Sequence, residues 1–313
     1  MRTVIKGELP DRIPASFWFH LPKDQAHGNE SVKAHLNYFH DANLDFLKIM
    51  NEHPYRVETH INNPSDWRKL KPVQLSSKFF QAQLDEIKMI TDELNGACLT
   101  TTTIFNPFSS GNHASDRKIT EHLKEDPVSV NIGLATIAES LAEFALACLD
   151  AGADGIYFSA QGGEADRFEV DEFLGFIKPH DLTVLNAIKD VGELNIVHIC
   201  RNNVRLCLYT SYTGHVFNWA VTTPKNLSLK SGKKLFNRPV LGGLDNCGVI
   251  VNGNPQEIKA EVHKIIRTVG PRNLILGADC TLPTDINIDH IRTAIEAAAA
   301  YPLRNNDPES SIS

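Results

Sequence analysis

Short apolar runs alternate with amphipathic stretches along most of the chain. Eight runs predict strands, over 15–20, 46–51, 98–105, 155–161, 196–200, 215–218, 240–245 and 274–279. Several are apolar without alternation, as expected where a parallel sheet is covered on both faces. Between them, apolar positions recur at helical spacing. The stretch 79–94 carries Phe79, Phe80, Leu84, Ile87 and Ile90, and 132–149 carries Ile137, Leu141, Phe144 and Leu149. The stretch 255–269 opens with Pro255 and continues with Ile258, Val262, Ile265 and Ile266, and 288–301 is rich in alanine. Eight strand-plus-helix units predict an α/β fold, a (β/α)8 TIM barrel. A doubly wound sheet competes, but no Gly-x-Gly-x-x-Gly follows the first run. The barrel is expected to span 1–304 as one domain with an N-terminal extension, leaving the polar 305–313 as a flexible tail.

Composition narrows the class. Of 313 residues 42% are hydrophobic and 22% charged, the balance of a globular enzyme with a sizeable core. A net charge of −7, with no basic run, argues against nucleic acid as a partner. The opening Met1-Arg2-Thr3-Val4-Ile5-Lys6 has no signal-peptide pattern, and no stretch reads as a membrane span. Cys98, Cys148, Cys200, Cys207, Cys247 and Cys280 are too scattered for a disulfide framework. Free thiols and a cytoplasmic setting are the expectation.

The candidate chemistry lies at the ends of the runs. His198 and Cys200 close the fifth, and Cys280 follows the eighth. Residues two apart in a strand share a face, so His198 and Cys200 can converge. In a barrel the C-terminal strand ends form the active rim, which brings Cys280 to the same place. One imidazole and two thiols suit zinc with one coordination position left open. Core packing is the competing reading, since buried cysteine is common. Other rim residues are Asp245 and Glu164 as catalytic candidates, and His20, Gln161, Asn218 and Trp219 as substrate contacts. Packing or loop solvation competes for each. Gly242-Gly243 would let backbone approach a ligand, Cys247 is a spare thiol, Asp279 a supporting residue, and the loop 109–118 a candidate lid. Cys98, Cys148 and Cys207 read as core.

Five stretches together carry a resemblance: Asp45-Phe46-Leu47-Lys48-Ile49-Met50, Ala151-Gly152-Ala153-Asp154-Gly155, Val197-His198-Ile199-Cys200, Leu241-Gly242-Gly243-Leu244-Asp245 and Leu276-Gly277-Ala278-Asp279-Cys280. The chain resembles the uroporphyrinogen decarboxylase superfamily, most of all its zinc-dependent methylcobalamin:thiol methyltransferases. The resemblance implies a (β/α)8 barrel with zinc on His198, Cys200 and Cys280. It also implies transfer of a methyl group from methylcobalamin, or from a corrinoid protein, to a small-molecule thiol. Porphyrin decarboxylases carry N-terminal arginines where this chain reads Phe17-Trp18-Phe19-His20-Leu21-Pro22. Cobalamin-independent methionine synthases add a glutamate ligand where it reads His215-Val216-Phe217-Asn218-Trp219. Three alternatives remain: a decarboxylase-like enzyme on a small carboxylate, a methionine synthase-like methyltransferase, and a non-catalytic metal-binding barrel.

Overall fold

The computed structural model describes residues 1–303, so the predicted tail at 305–313 lies outside the described residues. Seven parallel strands stand side by side in chain order: β1 (Phe46–Ile49), β2 (Leu99–Phe105), β3 (Ile156–Ala160), β4 (Ile196–Ile199), β5 (Val216–Trp219), β6 (Val240–Leu244) and β7 (Leu274–Ala278). Nearly every strand residue is buried, which explains the continuous apolar runs.

The first predicted strand, 15–20, is not a regular strand. It is an extended ribbon joined to its neighbours by isolated bridges, Ala15 to Leu276 and Phe19 to Leu282. Ser16 N donates to Leu276 O (3.1 Å), and Leu276 N donates to Pro14 O (2.8 Å). Pro14 has no N–H to return, which limits the ladder on that side. Toward β1 side chains replace the ladder. Ser16 Oγ donates to Phe46 O (2.8 Å), and Ala15 N donates to Asp45 Oδ2 (2.8 Å). Asp45 N in turn donates to Ala15 O (3.1 Å). The ribbon fills the eighth place, and the sheet closes as a (β/α)8-type barrel.

Alternation along the strands sorts two cores. Phe46, Met50, Leu99, Tyr157, Ile196, Val216, Leu241 and Ile275 fill the barrel with Trp18, and Val4 of the short helix Arg2–Ile5 joins them. The intervening residues, among them Leu47, Ile49, Phe158, Val197 and Phe217, face the helices. The predicted helices form as Lys78–Leu94, Pro127–Asp150, Pro255–Val269 and Ile288–Ala299. The second begins earlier than its apolar spacing suggests. Asp126 accepts from Ser129 N (3.0 Å) as N-cap, and Pro127 occupies the first turn.

Two expectations fail here. The candidate lid 109–118 starts inside the helix Pro107–Ala114, capped by Asn106 and buried from Pro107 to Gly111, so most of it is packed scaffold and 115–118 is the turn that follows. The helix Pro127–Asp150 is long and apolar enough to cross a membrane by length and composition, with half of its most apolar window buried. It packs against the helix Lys178–Ile188 and the 3-10 turn Pro64–Lys69, whose Trp67 is fully buried.

The β1 seam depends on Asp45, which also pairs with Arg12 (3.0 Å). Asp45→Ala leaves the Ala15 N–H without its acceptor and is expected to lower unfolding free energy by about 1–3 kcal/mol. Urea denaturation reads this, and an unmoved midpoint would show that the seam does not need the carboxylate.

Candidate metal centre

Alternation brings His198 to the barrel interior at the end of β4, and Cys200, one residue beyond the strand, follows it on the same side. Cys200 N donates to Ala160 O (2.9 Å), which continues the parallel ladder past the strand end. Cys280 lies two residues past β7, with Leu282 N held by Trp18 O (2.9 Å). The donor atoms of His198, Cys200 and Cys280 all lie within 4.8 Å of one another. The Cys280 sulfur is 3.7 Å from His198 Nε2.

The imidazole is oriented by Asn218, its register partner on β5. Asn218 Nδ2 donates to two backbone carbonyls, Leu241 O (2.9 Å) and Ala278 O (3.2 Å). The opposite end of the amide, Oδ1, must therefore be the acceptor. It receives Tyr157 O–H (3.1 Å) and His198 Nδ1 (2.5 Å). With the proton on Nδ1, the lone pair of Nε2 faces the cysteines. Metal-ligating histidines take this arrangement, the far nitrogen donating to a fixed acceptor.

The thiols are complementary. Closeness to Cys200 lowers the pKa of Cys280 against the effect of burial. Cys200 is raised by its closeness to Cys280 and by burial. Two sulfurs that drive each other's pKa values apart suit a soft dication, which would bind both as thiolates. A neutral imidazole nitrogen and two convergent sulfurs fit zinc with room for a further ligand.

The three donors open into a cavity of about 220 Å³, lined also by His20, Lys48, Met50, Asn51, Thr103, Phe105, Tyr157, Ser159, Gln161 and Thr281. Of the residues expected from sequence, His20 and Gln161 line it, and His20 Nδ1 pairs with Glu52 (3.0 Å). Four do not. Asn218 is fully buried with its amide used on protein groups, so it orients His198 instead of touching a ligand. Trp219, next in β5, points outward by parity, sits tilted against Phe236 and donates to Leu227 O (2.8 Å). Glu164 accepts from Gly162 N (2.9 Å) and faces Arg167, holding its own turn together. Asp245 accepts from Cys247 N (2.9 Å) and shapes the turn after β6. Gly242 and Gly243 adopt positive φ (138° and 112°), and a Cβ on Gly242 would sit 3.4 Å from Asn218 Nδ2. The positive φ, not crowding, is what calls for glycine at 242, since such a Cβ would make an ordinary contact with the Asn218 amide.

Asp279 has the supporting place expected of it, accepting from Thr222 N (2.8 Å) and Thr222 Oγ1 (2.5 Å). Cys148 is core and Cys98 half-buried, whereas Cys207 and Cys247 are exposed. A second group of potential donors, His27, His53 and Glu86, lies within 4.8 Å, but Glu86 accepts from Gly28 N (2.6 Å), Ser31 Oγ (3.2 Å) and His53 Nε2 (3.1 Å). It anchors the start of the helix Gly28–Ala42.

Sequence reasoning missed Lys48. It interrupts the apolar run of β1 in phase with Phe46 and Met50, which is the one signal that it enters the barrel. Its side chain is 4% exposed, with Nζ 4.0 Å from the Tyr157 ring centre and 4.8 Å from that of Trp18.

A model of the family described as uroporphyrinogen decarboxylase (URO-D) matches residues 46–301. The methylcobamide:CoM methyltransferase MtbA of Methanosarcina mazei is 21% identical over 280 residues, spanning 88% of this chain and 80% of that one. Its namesake in Methanosarcina acetivorans is 20% identical over 279 residues, with the same shares of both chains. Among solved structures, a methyltransferase from Methanosarcina mazei superposes with a TM-score of 0.76 at 17% identity, covering 95% of this chain and 96% of that one. A B12-independent methionine synthase from Shewanella sp. W3-18-1 gives 0.63 at 13% identity, covering 92% and 97%. At these identities the structural likeness is one of fold.

The orienting role of Asn218 has a direct check. Asn218→Ala is expected to weaken zinc binding about 10- to 100-fold and to lower stability by about 1–3 kcal/mol. Tyr157→Phe, which removes only a second donor to the same oxygen, should leave zinc affinity unchanged. Chelator competition measures both, and full affinity in Asn218→Ala would mean that His198 needs no such support.

Proposed function

The chain belongs to the uroporphyrinogen decarboxylase (URO-D) family, and from that premise we propose that it is a zinc-dependent methyltransferase that moves a methyl group from a methylated corrinoid to a small-molecule thiol. The observation that carries this reading is the meeting of His198, Cys200 and Cys280 in one cavity. The similarity to methyltransferases named for a methylcobamide donor and a thiol acceptor supports it.

Zinc on these residues would act as a Lewis acid that keeps an acceptor sulfur ionised at neutral pH, where a free thiol is mostly protonated. The protein's part is to keep that sulfur electron-rich and in place. Cys200 and Cys280, both as thiolates, cancel the charge of a dication, and neutral His198 adds none. Met50, Phe105 and Tyr157 wall the cavity with apolar surface and exclude water from the nucleophile. About 220 Å³ admits a small thiol but not a corrinoid ring, so the methyl donor is presented at the mouth, free or on a corrinoid protein. Such thiol chemistry belongs in a reducing compartment such as the cytoplasm.

Decarboxylation of a porphyrin is the weaker reading, because no arginine lines the cavity. A methionine synthase-like site is weaker too, because β5 supplies the amide of Asn218 where an acidic ligand would be needed.

The expected zinc content is one ion per chain, lost in Cys200→Ser and in Cys280→Ser. Full occupancy in both variants would remove the ligand assignment. With methylcobalamin and a panel of thiols, the zinc-loaded protein should discharge the methyl–cobalt absorbance, and the two variants should not. Zinc-dependent binding with no discharge by any thiol would leave a metal-binding barrel without this chemistry. X-ray absorption at the zinc edge should gain one sulfur neighbour at about 2.3 Å when thiol is added.

A further inference from the structure

Lys48 is a buried cation with no carboxylate partner. Among the described residues it enters no ion pair, and its recorded neighbours are the faces of Tyr157 and Trp18. Two aromatic faces stabilise an ammonium by much less than the cost of burying it. It shares its cavity with two cysteines and one histidine that would bind a metal without needing it.

We propose that Lys48 is the counter-charge for the acceptor sulfur, its ammonium holding the incoming thiol in this cavity as a thiolate. This rests on the reading above that a thiol is what enters. The charges decide it. A dication with two cysteinates and a neutral imidazole sums to zero, so a further thiolate brings a net negative charge into an apolar-walled space. One positive charge restores neutrality, and Lys48 is the cation in position to supply it. His20, the other basic group on the lining besides His198, is paired with Glu52.

The environment fits a group waiting for a negative partner. Burial pushes the Lys48 pKa down to about 7, while Cys280, Glu52 and Cys200 pull it up. The groups acting on it come from four sides. Tyr157 stands on β3 and Cys200 follows β4, Cys280 follows β7, and Glu52, held by His20, follows β1. His35, behind β1, is depressed by burial and receives a small repulsion from Lys48. A thiolate added to the cavity favours the ammonium, and by linkage the ammonium favours the thiolate equally.

The proton balance follows. Where Lys48 already carries its proton, the proton of the S–H bond passes to solvent on binding. Where Lys48 is neutral, the S–H bond breaks and an N–H bond forms on Nζ, with no net release.

The test uses the zinc-loaded full chain and 2-mercaptoethanol, a thiol with no anionic group of its own. Calorimetric titrations from about pH 6 to about pH 9 span the ionisation range of the lysine and approach that of the thiol. Lys48→Met is expected to weaken binding on the order of 10- to 100-fold, with zinc content unchanged, and Lys48→Arg to restore most of it. Lys48→Gln serves as a second neutral variant if Lys48→Met does not fold. Wild-type affinity should stop rising with pH once Lys48 loses its proton, whereas the neutral variants keep rising toward the pKa of the thiol. Equal affinity and equal pH profiles in wild type and the neutral variants would overturn the proposal and leave Lys48 a packing residue. A loss seen with 3-mercaptopropionate but not with 2-mercaptoethanol would overturn it too, because Lys48 would then read an acidic tail. No thiol binding by the zinc-loaded wild type would bring down the functional reading together with this one.

Discussion

One side-chain amide ties five strands of this barrel together. Asn218 stands on β5 and reaches Tyr157 on β3, His198 on β4, Leu241 on β6 and Ala278 on β7. The two carbonyls set which end of the amide is donor, and that choice sets which imidazole nitrogen carries the proton. A buried network of this kind is rigid only when every member is satisfied, because each unmet group inside a low-dielectric core is costly. The Asn218 network is complete, so the geometry of His198 is fixed before any ligand arrives. The absence of a side chain at Gly243, next along β6, lets the helix Pro255–Val269 pack close, since a Cβ there would sit 2.8 Å from Ile265.

The cavity above the amide divides its labour between soft donors and a hard cation. Sulfur and imidazole lie on one side, at the ends of β4 and β7, while the ammonium comes from β1. The aromatic ring of Tyr157 lies between them, stacked on His198 at 5.3 Å and under Lys48 at 4.0 Å. Tyr157 thus couples the amide network below to the charge above without being a ligand. Its hydroxyl is far from ionising because burial raises its pKa well above the ordinary value.

Much of this was legible in the residues. Seven of the eight strand runs form strands, and the two-residue spacing of His198 and Cys200 puts them on one face for the reason that made the spacing notable. The ribbon at 14–19 was less legible. Its apolar residues look like a strand, but its hydrogen bonds on the β1 side run through the side chains of Ser16 and Asp45, and hydropathy carries no record of those. The convergence of His198, Cys200 and Cys280 was legible, and the groups that support them were not. Asn218, Trp219, Glu164 and Asp245 all sit at strand ends, and position alone does not say whether a polar group faces a cavity or a neighbouring carbonyl. For Trp219 the same parity that selected His198 could have excluded it, since it follows Asn218 directly. Lys48 was hidden the other way. A lysine inside an apolar run invites a reading as an edge or a snorkelling residue, and its burial between two rings depends on Trp18, which is near in space and distant in sequence.

The seam between the ribbon and β7 also governs the order in which the molecule is made. The ribbon joins the early part of the chain to its last strand, so the loop closed by that contact is nearly the whole barrel. Such contacts form late, after the local strand–helix units that need little loop closure. Cys280 leaves β7 just before Leu282, which hangs on the carbonyl of Trp18 in the ribbon. It therefore reaches His198 and Cys200 only when the ring of strands is shut. A half-assembled barrel presents two of the three donors; a closed one presents all three. An ion held by the three together would shift the last folding equilibrium toward the closed state by mass action, so that the donor cluster would serve as a clasp of the fold.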